Sequence, residues 1–196
     1  MSHYFINDPD LVSNKKQIEY HFNNGLFCFV TDNGVFSKNE VDRGSNALIS
    51  SVSNLDLGNS ILDLGCGYGV IGIVMKKINP NADVDLVDIN DRAVELSKIN
   101  AKLNNVKVNI YNSEDITKLN KKYDSILLNP PIRAGKKVIY QLYRSSYDVL
   151  NKNGKLYIVI QKKHGSESSL NELKSLFKAV KIVSRKSGYQ IIESIK

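Results

Sequence analysis

A glycine-rich stretch, residues 60–72, constrains the fold of this chain more than any other segment. It reads Ser-Ile-Leu-Asp-Leu-Gly-Cys-Gly-Tyr-Gly-Val-Ile-Gly. The pattern predicts a short buried strand ending in an acid, Asp63, then a turn through Gly65 and Gly67, then a helix to about Ile78. Glycine is needed where a ligand lies against the backbone, because a Cβ atom would block it. The amino end of the helix directs free N–H groups at the same place, so we expect a nucleotide-like ligand above this strand.

Two acids decide which ligand fits. Residues 67–72 match the G-x-G-x-x-G dinucleotide pattern, and Asp88 follows at about the expected 20-residue distance. Asp63 would meet a pyrophosphate with like charge, whereas it suits a ligand that carries positive charge. S-adenosylmethionine has both a sulfonium and an ammonium group. Asp88, at the end of the next predicted strand, would hold its two ribose hydroxyls.

Strands and helices alternate after this stretch, which predicts an α/β fold. We expect a Rossmann-like, mostly parallel sheet with helices on both faces, closed by an antiparallel C-terminal hairpin. The predicted strands are Val84–Val87, Val106–Ile110, Asp124–Leu128, Leu156–Ile160, Val180–Ser184 and Tyr189–Ser194. The predicted helices are Asp91–Leu103, with Asn90 as N-cap, Lys137–Leu150 and Glu167–Phe177. The turn Asn153-Gly154 is expected to lead into the Leu156 strand.

The first part of the chain predicts a hairpin and a helix. Apolar residues alternate on both sides of Asn24-Gly25, which is typical of a β-hairpin. A helix is expected from about Ser45 to Leu55. We therefore predict a single domain over residues 1–196, with a hairpin appendage at 1–40, preceded by a poorly ordered tip, and a catalytic core at 41–196.

Composition excludes several classes of protein. No apolar run is long enough to span a membrane, and Met1–Asp10 lacks the pattern of a signal peptide. The two cysteines, Cys28 and Cys66, do not form a metal cluster or a disulfide framework. We expect a cytoplasmic protein without a metal or a membrane partner. The sequence does not fix an oligomeric state, and a monomer is the default.

Charge is distributed unevenly. Residues 1–60 carry a net charge of −3, residues 61–132 are balanced, and residues 133–196 carry +10. This asymmetry fits a polyanionic partner such as RNA, and it fits a solvated lysine-rich surface equally well.

Asn129-Pro130-Pro131 follows an apolar strand and forms the second chemical element. Prolines fix φ and remove N–H donors, so the segment presents mainly acceptors: the Asn129 side-chain oxygen and the carbonyls of Asn129 and Pro130. Two acceptors that hold the hydrogens of an –NH2 group localise its lone pair, and its nitrogen then attacks an electrophilic methyl group. Rate would come from placement and from polar groups aimed at the developing charge. An ordinary strand-ending turn is the alternative interpretation of the same residues.

Together these motifs resemble the class I S-adenosylmethionine-dependent methyltransferases that act on amino nitrogens. The segments at 34–37, 41–45, 61–72 and 129–136 look like the single-domain relatives of the bacterial 16S ribosomal RNA guanine-N2 methyltransferases, and the resemblance covers nearly all of the chain from Tyr4. It implies a seven-stranded sheet, S-adenosylmethionine as cofactor, and ribosomal RNA or the small ribosomal subunit as partner.

The resemblance and the motifs together predict a set of site residues. Asn129 and Pro130 are the expected catalytic residues. The expected cofactor residues are Asp63, Gly65, Gly67, Asp88, Ile89, Ser113, Asp115 and Asn129. The expected substrate residues are Phe36, Pro131, Ile132, Arg133, Lys136 and Lys137.

Two departures from the family pattern leave alternatives open. Ile132 occupies the position where enzymes acting on adenine or glutamine carry an aromatic residue, which favours guanine. The clear acid found after the third strand in many members is replaced here by Asn112-Ser113-Glu114-Asp115. The alternatives are an adenine amine or a protein glutamine amide as substrate, and a non-catalytic RNA-binding module that retains the fold.

Overall fold

The computed structural model describes residues 10–196. The strands are β1 (Lys16–Phe22), β2 (Gly25–Thr31), β3 (Ser60–Leu64), β4 (Asp83–Asp88), β5 (Asn109–Asn112), β6 (Tyr123–Leu128), β7 (Leu150–Gln161), β8 (Ala179–Lys186) and β9 (Tyr189–Ile195). The helices are α1 (Arg43–Val52), α2 (Val70–Ile78), α3 (Asp91–Leu103), α4 (Lys136–Val149) and α5 (Ser166–Leu176). Two short 3₁₀ helices lie at Ile116–Leu119 and Ile132–Ala134. The poorly ordered tip that the sequence predicts lies mostly outside the described residues.

Seven strands form one sheet in the order β5-β4-β3-β6-β7-β9-β8. The five strands from β5 to β7 are parallel, and β9 and β8 add antiparallel pairs at one edge. This confirms the predicted Rossmann-like sheet with an antiparallel C-terminal hairpin. The chain builds outward in one direction from β3 to β5 and in the other from β6. Its switch point therefore lies between β3 and β6, where open sheets of this kind bind ligands.

The sheet is buried on both faces. Neighbouring residues of β6 alternate between two apolar clusters: Leu127 packs with α1, α2 and α3, whereas Ile126 and Leu128 pack with α4 and α5. Because a parallel sheet needs cover on both sides, its strands are almost continuously apolar. Helices on both faces were predicted and are confirmed. Among the helices of residues 10–196, none is both long enough and apolar enough to cross a membrane.

The N-terminal hairpin packs into the same core as the sheet, through aromatic residues that include Phe27 and Phe29. The free edge of β2 is covered by side chains of α3. Asn100 Nδ2 donates to the Val30 carbonyl at 2.9 Å and its Oδ1 accepts from Val30 N at 2.7 Å. Asn104 makes the same pair of bonds with Cys28, at 2.7 and 3.1 Å.

Three predicted boundaries are wrong for identifiable reasons. The hairpin turns at Asn23-Asn24, one residue before the expected Asn24-Gly25, because Asn23 adopts a left-handed φ of 51° and Gly25 already pairs with Phe22. The third strand of the alternation begins at Asn109 instead of Val106, because Val106 N donates to the Ala101 carbonyl and closes the end of α3.

The third correction concerns β7, which begins at Leu150 and includes Asn153-Gly154 instead of following it. Asn153 has a φ of 62°, and the β6–β7 register shifts between Tyr123 and Ser125. Asn153-Gly154 therefore forms an irregularity within β7 where that strand pairs with β6. The predicted boundary between an appendage at 1–40 and a core at 41–196 stays a prediction.

Candidate active site

A cavity of about 1090 Å³ opens at the carboxyl ends of β3, β4 and β6. It lies at the switch point of the sheet, and the glycine loop, Asp88 and Asn129 all line it. Its volume is slightly above the range of about 300–1,000 Å³ found for sites that take one small molecule. The cavity therefore has room for a nucleoside-containing cofactor and for a group of the substrate beside it.

The glycine loop leaves an open cradle beneath the cavity. Gly65 and Gly67 have φ angles of +68° and +57°, which side chains rarely adopt. Apart from the adjacent residues of the loop, no atom of residues 10–196 lies within 4 Å of a Cβ built on either glycine. Gly65 N and Cys66 N donate to the Val87 carbonyl at 2.8 and 3.0 Å, which fixes the loop against β4. A ligand lying against this backbone would occupy the space that side chains would otherwise fill.

Asp88 ends β4 and is bonded to the loop itself. Its Oδ2 accepts from Gly67 N at 2.8 Å, and its Oδ1 accepts from Asn90 N at 2.9 Å. Burial raises the pKa of this carboxyl, while the bonds from Asn90 and Gly67 act in the opposite direction. Asp88 thus shapes the glycine loop in addition to facing the cavity.

Asp63 lies deeper than the sequence predicts. β3 continues to Leu64, so Asp63 is not the last residue of the strand, and its side chain is fully buried outside the lining of the cavity. Asp63 Oδ2 accepts from Gly72 N at 2.8 Å, whereas Oδ1 has no hydrogen-bond partner among the described residues. Burial raises the pKa of Asp63 to about 7, and the charge of Asp88 adds to the rise.

The other predicted cofactor residues lie along one side of the cavity. Ile89, Ser113 and Asp115 all line it. Ser113 N donates to the Asp88 carbonyl at 3.1 Å, which places the β5 loop beside β4. Asp115 caps the first 3₁₀ helix, because its Oδ1 accepts from Thr117 N at 3.0 Å. The Thr117 hydroxyl also donates to Asp115 Oδ1, at 2.6 Å. This bond and the bond from Thr117 N lower the pKa of Asp115.

On the opposite side, Asn129 is held by two residues from the start of α1. Its Nδ2 donates to Asp42 Oδ2 at 3.0 Å and to Ser45 Oγ at 3.0 Å. Both hydrogens of the amide are therefore used by acceptors of the protein. The orientation of the amide is fixed, with Oδ1 left as the atom that accepts hydrogen bonds. Pro130, which is buried, follows in the same wall of the cavity.

The segment 41–45 contributes to the family resemblance, but sequence reasoning assigns no role to Asp42 or Ser45. Helix α1 begins at Arg43, two residues earlier than predicted, because the Asp42 side chain accepts from Ser45 N at 3.0 Å as an N-cap. Aspartate is among the residues preferred at the N-cap, so the identity of Asp42 is a local signal for the helix start. The bond to Asn129 spans 87 residues and has no local signal.

The predicted substrate residues divide into two groups. Phe36, Pro131 and Lys137 line the cavity. Ile132 packs against the apolar cluster under α4 and α5, and Arg133 and Lys136 are exposed beside the cavity without lining it. The side chains that face the site from this segment are thus fewer than the sequence predicts.

The residues present fit S-adenosylmethionine better than a dinucleotide. The open cradle above Gly65 and Gly67 accommodates a ligand, and two carboxylates, Asp63 and Asp88, flank the loop. A pyrophosphate would add negative charge beside them, whereas a sulfonium or ammonium group would offset the charge. Asp88 lines the cavity, whereas Asp63 is buried behind the glycine loop, so Asp88 is the acid placed to contact such a ligand. Residues 10–196 contain no group of three or more His, Cys, Asp or Glu placed to hold a metal ion together.

The fold and the site define the Rossmann-like methyltransferase class. The chain belongs to the methyltransferase small domain family, whose model matches residues 27–193. It is 43% identical to protein YbxB of Bacillus subtilis over 197 residues, which covers 99% of this chain and 98% of that protein.

Longer relatives carry names that state an activity. The chain is 38% identical over 130 residues to ribosomal RNA small subunit methyltransferase C of Hahella chejuensis, covering 64% of this chain and 38% of that protein. Its fold is similar to that of the T. thermophilus 16S rRNA N2 G1207 methyltransferase in complex with AdoMet and guanosine, with a TM-score of 0.85 and 22% identity over 96% of this chain and 52% of that chain. The chain thus spans about two fifths to one half of these two proteins.

Proposed function

We propose that this protein is an S-adenosylmethionine-dependent methyltransferase that modifies the N2 amine of a guanine in small-subunit ribosomal RNA, in the cytoplasm. The observation that carries the proposal is the fixed Asn129 amide. Asp42 and Ser45 hold its two hydrogens, so that Oδ1 remains as an acceptor in a cavity next to the open glycine loop. The names of the longer relatives support the choice of RNA as substrate.

The residues of the chain supply placement. Gly65 and Gly67 admit the cofactor, and Asp88 accepts from its ribose hydroxyls. When bound, S-adenosylmethionine supplies an electrophilic methyl group. Asn129 Oδ1 and the Pro130 carbonyl hold the two hydrogens of the substrate amine and turn its lone pair toward that group. No side chain needs to remove a proton before attack, because the proton leaves after the nitrogen becomes cationic.

A basic edge beside the cavity suits an RNA backbone. Arg133, Lys136 and Lys137 are exposed at the start of α4, directly after the Asn129 segment. Lys162 and Lys186 are also exposed, at the carboxyl end of β7, where Lys162 N donates to the carbonyl of Gly188 in the β8–β9 turn at 3.1 Å. Phosphates flanking a base in the cavity would meet these cations.

The test of the proposal is methyl transfer from radiolabelled S-adenosylmethionine to small ribosomal subunits that lack native modification, followed by nucleoside analysis. N2-methylguanosine is the expected product, and Asn129→Ala is the matched inactive control. Radiolabel in N6-methyladenosine would indicate adenine as the substrate, and radiolabel in ribosomal protein would indicate a glutamine amide. Failure to bind S-adenosylmethionine below millimolar concentration would leave a non-catalytic module.

Replacing Arg133, Lys136 and Lys137 together by glutamine should weaken RNA binding and flatten its dependence on log salt by about one unit for each phosphate that the variant no longer neutralises. Affinity for S-adenosylmethionine should hardly change. The matched control neutralises Lys152, Lys174 and Lys178, which are exposed away from the cavity. Equal salt slopes for the two triple variants would show that the basic excess acts through overall charge and not through this edge.

A further inference from the structure

Asp42 uses only one of its carboxylate oxygens to hold the protein together. Oδ2 accepts from both Ser45 N and Asn129 Nδ2, each at 3.0 Å. Oδ1 accepts no hydrogen bond from the residues that the structure describes. The residue is half-buried and lines the cavity beside Asn129. A charged acceptor is therefore available next to the acceptor that orients the amine.

The backbone around Asp42 keeps this carboxylate in place. Asp42 is the N-cap of α1, and its side chain accepts from Ser45 N at 3.0 Å. Gly44, the second residue of α1, has no room for a side chain: a Cβ there would lie 2.8 Å from Asp42 Oδ2 and 3.5 Å from Asn129 Nδ2. Glycine at this position thus permits the contact between Asp42 and Asn129.

The bases differ in what they present beside the amine. Guanine has a second donor, N1–H, next to its N2 amine. Adenine has an acceptor, N1, next to its N6 amine, and a glutamine amide has its own carbonyl oxygen there. A carboxylate oxygen beside the amine-holding acceptors would bond to guanine and repel the other two. Sites built to hydrogen-bond one group reject analogues that lack it.

We propose that Asp42 determines specificity for guanine, by accepting N1–H on Oδ1 while Asn129 Oδ1 and the Pro130 carbonyl hold the N2 amine. The inference rests on the proposed function and names the feature of the base that the site reads. It gives Asp42 two roles, because Oδ2 orients Asn129 and Oδ1 contacts the substrate.

The substitution Asp42→Asn separates these roles. Asparagine is as good an N-cap as aspartate, and its Oδ1 placed where Asp42 Oδ2 lies would keep the bonds from Ser45 N and Asn129 Nδ2. Its NH2 group then replaces the free carboxylate oxygen, so the cavity presents a donor in place of an acceptor. Glu40→Gln is the matched control, because Glu40 is exposed two residues away and loses the same charge.

The probes are guanosine and 2-aminopurine riboside, which keeps the amine at C2 but has no proton on N1. Binding of the fluorescent 2-aminopurine riboside and its displacement by guanosine are measured with S-adenosylhomocysteine at saturation. The wild-type protein should favour guanosine by about ten- to hundredfold, the strength of a hydrogen bond to a charged group. Asp42→Asn should bring the ratio to about one or invert it, and Glu40→Gln should leave it unchanged.

An unchanged ratio in Asp42→Asn, a wild-type ratio near one, or no binding of either nucleoside would overturn the inference. The ribosomal assay distinguishes this failure from that of the proposed function. If the wild-type protein forms N2-methylguanosine in subunits while Asp42→Asn keeps the nucleoside ratio, only the role of Asp42 is refuted. If no guanine product forms in subunits, the proposed function fails whatever the nucleoside ratio.

Discussion

The two sides of the cavity are held together in different ways. On the cofactor side, each acid is fixed by backbone N–H groups close to it in the β3–α2–β4 unit: Asp63 by Gly72 N and Asp88 by Gly67 N and Asn90 N. On the substrate side, Asn129 is fixed by side chains of Asp42 and Ser45, which are more than 80 residues away in the chain.

Because of this difference, the two sides of the cavity should respond differently to substitutions elsewhere in the chain. Backbone donors stay in place when a distant residue changes, so the cofactor side depends on its own loop. The substrate side depends on the packing of α1 against the sheet, and a single distant substitution would turn the Asn129 amide. We therefore expect substitutions at 42 and 45 to affect substrate chemistry while cofactor affinity is preserved.

The largest effect is expected for Asn129→Ala. The variant lacks one of the two acceptors that orient the amine, and loss of one preorganised polar group costs about 10²–10³ in rate. Affinity for S-adenosylmethionine, measured by calorimetry, should be within a few-fold of the wild-type value, because the glycine loop is untouched. The exposed Asn39→Ala serves as control. A rate equal to that of the wild type would remove Asn129 from the chemistry.

Asp88→Ala tests the other side. Loss of bonds from a carboxylate to two hydroxyls should weaken S-adenosylmethionine binding by about ten- to hundredfold. Because Asp88 also accepts from Gly67 N, the variant should lose stability as well, which the sequence alone does not predict. Urea unfolding measured without cofactor reports the second effect. Unchanged affinity for the cofactor would place it elsewhere.

A pair of substitutions tests the link between Asp42 and Asn129. Asn129→Asp keeps an acceptor that Asn129→Ala removes. We nevertheless expect Asn129→Asp to be impaired, because the new carboxylate would face Asp42 Oδ2 across 3.0 Å. Adding Asp42→Asn offers an amide NH2 to the new carboxylate at position 129 at the expense of the bond from Ser45 N, and the double variant should exceed Asn129→Asp by about tenfold in methyl transfer to any acceptor amine. If the double variant loses as much activation free energy as the two single variants lose together, Asp42 and Asn129 are not linked.

The smallest effect concerns Asp63 and pH. Its pKa, about 7 in the folded protein, exceeds the ordinary value of 3.8, so the folded state holds a proton that the unfolded state releases. Stability contributed by this proton is present at acidic pH and is lost as the pH rises through about 7. Between pH 6 and pH 8 the wild type should lose about 1 kcal/mol of unfolding free energy relative to Asp63→Asn. If the difference in unfolding free energy between the wild type and Asp63→Asn, measured in urea, is the same at pH 6 and pH 8, the prediction is wrong.

Much of the fold follows from local sequence. The period of the apolar residues and the caps predicted α3 from Asp91 to Leu103, with Asn90 as its N-cap, as the structure has it. The seven-stranded sheet and its antiparallel edge are confirmed. The strand expected from Val106 begins instead at Asn109, because Val106 N is bonded to the Ala101 carbonyl at the end of α3.

The site is predictable in part for the same reason. Asp88 and the glycine loop lie within one βαβ unit, where spacing along the chain fixes position in space. The contact of Asp42 with Asn129 depends on how α1 lies against the sheet, which no local pattern encodes. The depth of Asp63 also escaped prediction, because it depends on the close approach of Gly72.

The asparagines of α3 carry a consequence for solubility. An uncovered strand edge offers N–H and C=O groups to any other chain that presents a strand, which is a route to aggregation. Asn100 and Asn104, one helical turn apart, satisfy both groups of Val30 and of Cys28 with side-chain amides, as a neighbouring strand would. Helix α3 therefore protects the edge of the hairpin as a further strand would. The aromatic side chains of the hairpin stay packed in the core of their own chain.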